Sequence, residues 1–263
     1  MTVWFMYIAL GAFAGVLAGL LGVGGGLVIV PVLTFIFTAQ HLPEGHILHL
    51  ALGTSLASIM FTSISSLRAH HGRGAVDWVV VRRISAGIMI GTFGGSWVAA
   101  QLSTNFLKIF FIVFLYYVAT QMLLNIKPKP QRQLPGWAAM SGVGGVIGGV
   151  SSLVGIGGGT MSVPFLVWCN IAIHRAIGTS AAIGFPIALS GAIGYMVNGL
   201  SVQLPQYSLG YVYLPALAGI AATSIVTAPL GAKLAHSLPI DKLKKIFALL
   251  LIVMGTKMLL SLF

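Results

Sequence analysis

Two runs of this chain carry the residues best suited to chemistry: Gly22-Val23-Gly24-Gly25-Gly26-Leu27-Val28-Ile29-Val30-Pro31, and Gly155-Ile156-Gly157-Gly158-Gly159-Thr160-Met161-Ser162-Val163-Pro164. Each interrupts an apolar stretch with residues that sustain a helix poorly, since glycine loses the most backbone entropy on ordering and proline has no N–H. Inside a bilayer such a break is tolerated only where protein or a water-filled cavity supplies partners for the backbone. What the break offers in return is a set of successive N–H groups at the positive end of a short helix, a donor array suited to an anion. The candidate donors are Gly24, Gly25 and Gly26, and Gly157, Gly158 and Gly159. Two breaks at corresponding places in two halves of a membrane chain point to a transporter's binding site. The competing reading is close helix packing through small residues, which suits Gly142, Gly144, Gly145, Gly148 and Gly149 better.

Other polar residues extend the candidate site. Gly53-Thr54-Ser55 and Gly178-Thr179-Ser180 recur after the two breaks and place hydroxyl donors at the start of the next helices. Ser55, Ser58, Thr62 and Ser66 follow one another at three- and four-residue spacing, a polar stripe on an apolar helix that faces either a pore or its own backbone carbonyls. Arg175, beside His174, lies just before the second Gly-Thr-Ser block, where it either meets an anion or anchors the helix end. The three acids, Glu44, Asp77 and Asp241, all fall in expected loops, whereas cation carriers and proton relays keep a carboxylate within the span. The balance therefore favours an anionic or neutral substrate. A metal-cation carrier using His41, His46 and His49 is the alternative transport reading, although their spacing is not that of a metal site. A membrane-embedded enzyme or scaffold is the other class. No histidine or carboxylate is expected beside Cys169 or the serines within a span, so no nucleophile and base pair emerges. No catalytic residue, metal site or cofactor is expected.

Composition sets the solvent these residues work in. Of 263 residues, 57% are hydrophobic and 6% charged, and the mean hydropathy is +1.00, far from a soluble domain in which about a quarter of residues are charged. The chain reads as an all-α polytopic membrane protein. Its net charge of +11 comes from short basic runs between apolar segments and not from one basic face, which fits cytoplasmic loops and argues against nucleic acid. A single cysteine, Cys169, excludes an internal disulfide framework. The polar stretches are loop-sized and leave no room for an ATPase domain, so transport would run on a gradient.

Apolar segments are expected at Trp4 to Leu21, Pro31 to Ala39, His49 to Leu67, Ile84 to Gln101, Phe106 to Asn125, Trp137 to Val154, Pro164 to Asn170 with its preceding residues, Ala176 to Asn198, Leu209 to Ala235 and Leu243 to Leu262. The N-terminal segment has no basic leader and reads as a mature helix. Overlaying the halves matches Gly22 with Gly155, 133 positions on; Gly53 with Gly178, 125 on; and Leu107-Lys108 with Leu243-Lys244, 136 on. Three blocks in one order indicate a duplication: an N-terminal repeat over 1–125, a cytoplasmic linker over 126–135, and a C-terminal repeat over 136–263. Each glycine break is expected to begin its helix at Pro31 or Pro164, where proline costs least.

Orientation follows the basic residues near segment ends. Arg68, Arg73, Arg82 and Arg83, then Lys127, Lys129 and Arg132, then Lys233, Lys242, Lys244 and Lys245 mark cytoplasmic loops, while the turns at Ser103-Thr104 and Leu200 to Ser208 are external. Each glycine-broken region then enters and leaves on one side, as a hairpin. A hairpin plus three spanning helices per half gives an inverted repeat with both termini external.

The two Gly-x-Gly-Gly-Gly-x4-Pro blocks, each followed by Gly-Thr-Ser, resemble the sulfite exporter TauE/SafE family of membrane transporters over essentially the whole chain. The resemblance implies a small sulfur-containing anion (sulfite, sulfoacetate or another organosulfur oxyanion) as substrate, moved across the inner membrane. The expected partners are that anion and the lipid bilayer.

Overall fold

The computed structural model describes residues 2–124, 133–235 and 240–262, without the side chains of 240–242. Most of the expected linker, with Lys127, Lys129 and Arg132, and the side chains of Asp241 and Lys242 lie outside the described residues. Ten α-helices account for nearly all of it: α1 (Thr2–Leu21), α2 (Gly26–Ala39), α3 (Ile47–His71), α4 (Trp78–Gln101), α5 (Thr104–Leu123), α6 (Trp137–Val154), α7 (Gly159–Trp168), α8 (Ile173–Gly199), α9 (Leu214–Ala235) and α10 (Ile240–Leu260). A two-strand hairpin, β1 (Ser208–Leu209) and β2 (Val212–Tyr213), precedes α9. Six helices (α1, α3, α5, α6, α8 and α9) are long and apolar enough to cross a membrane, while α4 and α10 have 24 and 21 residues. This is an all-α polytopic membrane protein. Large apolar side chains such as Phe5, Ile90, Trp97, Val113, Val146 and Leu260 are exposed on its outside, where acyl chains are the matching solvent.

The glycine runs end one helix and start another, but earlier than the prolines suggest. Gly25 and Gly158 adopt left-handed φ of 80° and 74°, and the helices begin at Gly26 and Gly159. Pro31 and Pro164 are therefore interior, each the sixth helical residue. An extended run up to the prolines would leave several N–H groups unpaired in an apolar interior. Instead the Gly25 carbonyl accepts from Val28 and Ile29, and the Gly158 carbonyl from Met161 and Ser162. Each proline costs only the one bond its nitrogen cannot donate. Other boundaries move for similar reasons: Asp77, expected in a loop, caps α4 by accepting from the N–H groups of Val79 and Val80, which draws Arg82 and Arg83 into the helix. Where the apolar run predicts a helix over Leu209 to Ala235, the β1–β2 turn occupies its start and α9 begins at Leu214. Tyr207 and Gly210 there take positive φ.

Helices pack through small residues. α1 lies parallel to α9, with Gly11 against Ile220 and Thr223 and Gly19 against Ala228 and Ala232. α4 lies parallel to α6 in the same manner, with Gly87 against Ser141 and Gly148 against Ile88 and Thr92. Of the glycines expected to pack, Gly144 and Gly148 do so tightly, while Gly142 has nothing within 4 Å of where a Cβ would stand. α3 and α8 form the centre and run antiparallel, Leu56 meeting Gly191 and Ser63 meeting Gly184. α5 pairs with α10. Gln40, just past α2, donates to the Tyr7 hydroxyl near the start of α1 at 2.8 Å, so the first glycine-broken pair of helices returns to the end it started from.

Candidate functional site

The two glycine breaks meet in the middle of the bundle. The Gly157 N–H donates to the Val23 carbonyl at 3.3 Å. A Cβ on Gly24 would stand 3.1 Å from Gly157 Cα; one on Gly26 would collide with the Gly155 carbonyl, and one on Gly159 with the Gly22 carbonyl. Only glycine lets two backbones cross this closely. The hydroxyls of the Gly-Thr-Ser blocks hold the crossing from both sides. Ser55 Oγ donates to the Gly155 carbonyl at 2.7 Å, and Ser180 Oγ donates to the Gly22 carbonyl at 3.0 Å while accepting from Ser162 Oγ at 2.9 Å.

These contacts come in pairs related by exchange of the halves. Ser55 and Gly155 correspond to Ser180 and Gly22. The Tyr213 N–H donates to Thr54 Oγ1 at 2.9 Å, and its counterpart Asp77 N–H donates to Thr179 Oγ1 at 2.9 Å. Tyr195 donates its hydroxyl proton to the Ser152 carbonyl at 2.9 Å, and the counterpart His70 Nε2 lies 2.9 Å from the Gly19 carbonyl. The spacings of 133, 125 and 136 positions therefore recur in three dimensions.

Of the candidate residues, Gly24, Gly25, Gly26, Gly157, Gly158, Gly159, Ser55 and Ser180 gather at the crossing. Thr54 and Thr179 lie inside α3 and α8, not at their starts, and tie those helices to the segments entering α9 and α4. Arg175 stands in the first turn of α8, five residues before Ser180, about 7.5 Å along a helix rising 1.5 Å per residue. Its guanidinium donates to Asp77 Oδ2 at 3.1 Å, with 55% of its side chain exposed. Within the polar stripe, Ser58 and Thr62 bond the carbonyls of Thr54 and Ser58, and Thr62 also meets Ser224 Oγ at 2.7 Å. Ser66 Oγ is buried without a hydrogen-bond partner.

Beside the crossing lies a narrow cleft of about 10 Å³, room for about one water molecule, lined by Ala18, Gly22, Gly24, Ser63, Ser66, Ala181 and Gly184. Ala18, Ser63, Ala181 and Gly184 were not singled out by motif. The signal lay in the overlay of the halves, where Ala181 and Gly184 stand opposite the larger Leu56 and Ile59.

The histidines fall elsewhere. His46 and His49 pack against each other with ring centroids 6.0 Å apart, and His49 stacks on Tyr211 at 5.1 Å. Burial raises the pKa of the Tyr211 hydroxyl, which lies in the β1–β2 turn. Among the described residues no three His, Cys, Asp or Glu groups are placed to hold a metal ion.

A helical bundle built for the bilayer, with two broken helices crossing at its centre, is the architecture of a membrane transporter. The sulfite exporter TauE/SafE family model matches residues 7–258, and the chain belongs to that family. It is 44% identical over 254 residues to a probable membrane transporter protein of Haemophilus influenzae, covering 95% of this chain and 96% of that protein. It is 29% identical over 263 residues to a probable membrane transporter protein of Methanocaldococcus jannaschii, covering 97% and 95%, and 28% identical over 212 residues to one of Bacillus subtilis, covering 73% and 78%. No solved structure matches the chain.

Proposed function

We propose that this protein is a secondary transporter or facilitator of a small sulfur-containing anion, with sulfite and sulfoacetate as the leading substrates, and that it works by alternating access in the inner membrane. The observation that carries this reading is the crossing of the two glycine breaks. It brings the N-terminal ends of α2 and α7 together at one place, where backbone N–H groups and helix dipoles favour negative charge. Gly24 to Gly26, Gly158 and Gly159 supply those donors, with Gly157 N–H held by the Val23 carbonyl; the hydroxyls of Ser55 and Ser180 brace the glycine carbonyls, and Thr54 and Thr179 hold α3 and α8 to the segments entering α9 and α4. Arg175 sits at the end of the bundle beside Asp77, suited to drawing an anion toward the entrance. The absence of an acid among the cleft's lining residues favours an anion over a cation.

The two halves, 1–125 and 136–263, act as an inverted repeat. The antiparallel run of the counterpart helices α3 and α8 supports this, because a two-fold relating them lies across the helix axes and therefore in the membrane plane. By the positive-inside rule, the end of the bundle carrying Arg68, Arg73, Arg82, Arg83 and Arg175 is cytoplasmic, and both termini are external. Rocking one repeat against the other about the crossing would expose it alternately.

The test is uptake of ³⁵S-sulfite and labelled sulfoacetate into proteoliposomes containing the purified protein. Saturable flux, competed by the unlabelled anion and recovering it chemically unaltered, is expected. Flux that equals that of protein-free liposomes, or never saturates, would overturn the reading.

A further inference from the structure

The cleft lies toward the α3 C-terminal side of the crossing, and the halves differ in the residues around it. Under exchange, Gly184 of α8 corresponds to Ile59 of α3, Ala181 to Leu56, Ser63 to Ala188, and Ser66 to Gly191. On the side toward the α3 C-terminus the lining is Ser63, Ser66, Ala181 and Gly184, and the space stays open. At the exchanged positions larger side chains pack close: Ile59 Cγ2 stands 3.0 Å and 3.3 Å from where a Cβ would lie on Gly24 and Gly157, and Leu56 Cδ1 stands 2.7 Å from that point on Gly191. The backbone bonding is one-sided as well. Gly157 N–H donates to Val23, while the exchanged bond, from Gly24 N–H to the Ile156 carbonyl, is not formed among the described residues. The open side holds the Ser66 hydroxyl, which is buried to 2% exposure without a partner. A buried donor left unsatisfied is costly and suits a site that a ligand or water completes.

We propose that this cleft is the substrate's path to the crossing from the α3 C-terminal side, that Ser66 is its specificity-determining donor for an oxyanion, and that Ile59 with Leu56 forms the seal on the opposite side. The assignment of the ligand as an oxyanion rests on the transport reading above; the one-sided path does not. Gly184 is the residue that keeps the path open, and placing there the side chain its counterpart carries would close it.

Thiol labelling tests the path without any substrate. In a Cys169→Ala background, Ser63→Cys and its counterpart Ala188→Cys are exposed to a membrane-impermeant thiol reagent in sealed vesicles of each orientation. Ser63→Cys should react from one side only, at least tenfold faster than Ala188→Cys. Adding Gly184→Ile should slow Ser63→Cys labelling at least tenfold, and adding Ile59→Ala should speed labelling of Ala188→Cys. Should Gly184→Ile fail to fold, Gly184→Ala serves, since its methyl group would lie at ordinary contact distances of 3.4 and 3.6 Å from the Gly157 carbonyl and Ser63 Cβ; it should slow labelling severalfold. Equal rates at the two cysteines, or labelling indifferent to both Gly184 variants, would overturn the path. Sulfite should protect Ser63→Cys, and Ser66→Ala should raise the KM for sulfite uptake severalfold with the melting temperature unchanged. One-sided labelling without protection by sulfite or sulfoacetate would leave the path standing and remove the oxyanion. An unchanged KM would remove Ser66.

Discussion

Ser55 of one half holds Gly155 of the other, its hydroxyl donating to that glycine's carbonyl at 2.7 Å, and Ser180 returns the contact to Gly22 at 3.0 Å. Each glycine break is therefore anchored by the half of the chain it does not belong to, so the crossing couples the halves directly. Ser55→Ala and Ser180→Ala each strip a buried carbonyl of its donor, at about 1–3 kcal/mol. Denaturant unfolding in detergent should show that loss in each single variant. Ser180→Ala should lose more, because it also orphans Ser162. Wild-type stability in both would mean the hydroxyls do not hold the crossing.

The glycines at the crossing should separate by position. Gly26→Ala and Gly159→Ala drive a methyl group into the facing backbone, and overpacking of this kind costs about 1–3 kcal/mol. Gly45→Ala, with nothing within 4 Å, is the control and should melt with the wild type. Thermal unfolding followed by size-exclusion chromatography reads the difference. Equal melting of all three would show that the backbones can part without cost.

Gly25 and Gly158 test the binding role. Both have positive φ, so Gly25→Ala and Gly158→Ala force strain at the N-terminal ends of α2 and α7, where the proposed donors lie. In the fraction that stays folded, affinity for sulfite should fall severalfold, read by tracer binding to purified protein. Wild-type affinity in both variants would remove the glycine N–H groups from the site.

Asp77 and Arg175 form the ion pair at the base of α4 and α8. With Arg175 more than half exposed, the pair itself is worth about 0–1 kcal/mol, whereas Asp77 also caps α4, a contribution of about 0.5–2 kcal/mol. Arg175→Ala should therefore leave stability nearly unchanged and Asp77→Ala should lower it. If Arg175 draws in the anion, its alanine variant raises the KM for uptake with little change in kcat. A KM equal to the wild type would restrict Arg175 to anchoring the helix.

Much of this is legible in the sequence because its matched blocks write it twice. The matched Gly-x-Gly-Gly-Gly and Gly-Thr-Ser blocks picked out the residues at the crossing, and helix α6 was bounded correctly at Trp137 and Val154 by its apolar run. What stayed hidden was tertiary. Pro31 and Pro164 looked like helix starts, yet satisfying backbone N–H groups in an apolar interior outweighed the proline preference. Nothing local says that Asp77 caps α4 and meets Arg175. The bonds of the Ser55 and Ser180 hydroxyls to Gly155 and Gly22 depend on the halves crossing, which no local pattern encodes. The cleft was detectable only by asking where the repeats disagree, as at Ile59 and Gly184.

Orientation gives the last prediction. Gly45, Ser103, Thr104 and Tyr211 gather at one end of the bundle, where Thr104 bonds the Gly45 carbonyl, His49 stacks on Tyr211 and Lys108 reaches the Ser261 carbonyl near the C-terminus. Arg68, Arg73, Asp77 and Arg175 gather at the other, where the chain turns from α3 into α4 and α8 begins. Lipid-spanning chains keep arginine-rich turns on the cytoplasmic side. In a Cys169→Ala background, Ser103→Cys and Gln203→Cys should accept an impermeant thiol reagent from outside intact cells, and Arg73→Cys only after permeabilisation. Because the ends are fixed by contacts within the fold, one reversed position would indicate a local fault, but all three reversed would invert the whole molecule. That outcome would overturn the external placement of both termini and turn the cleft beside Ser66 toward the outside.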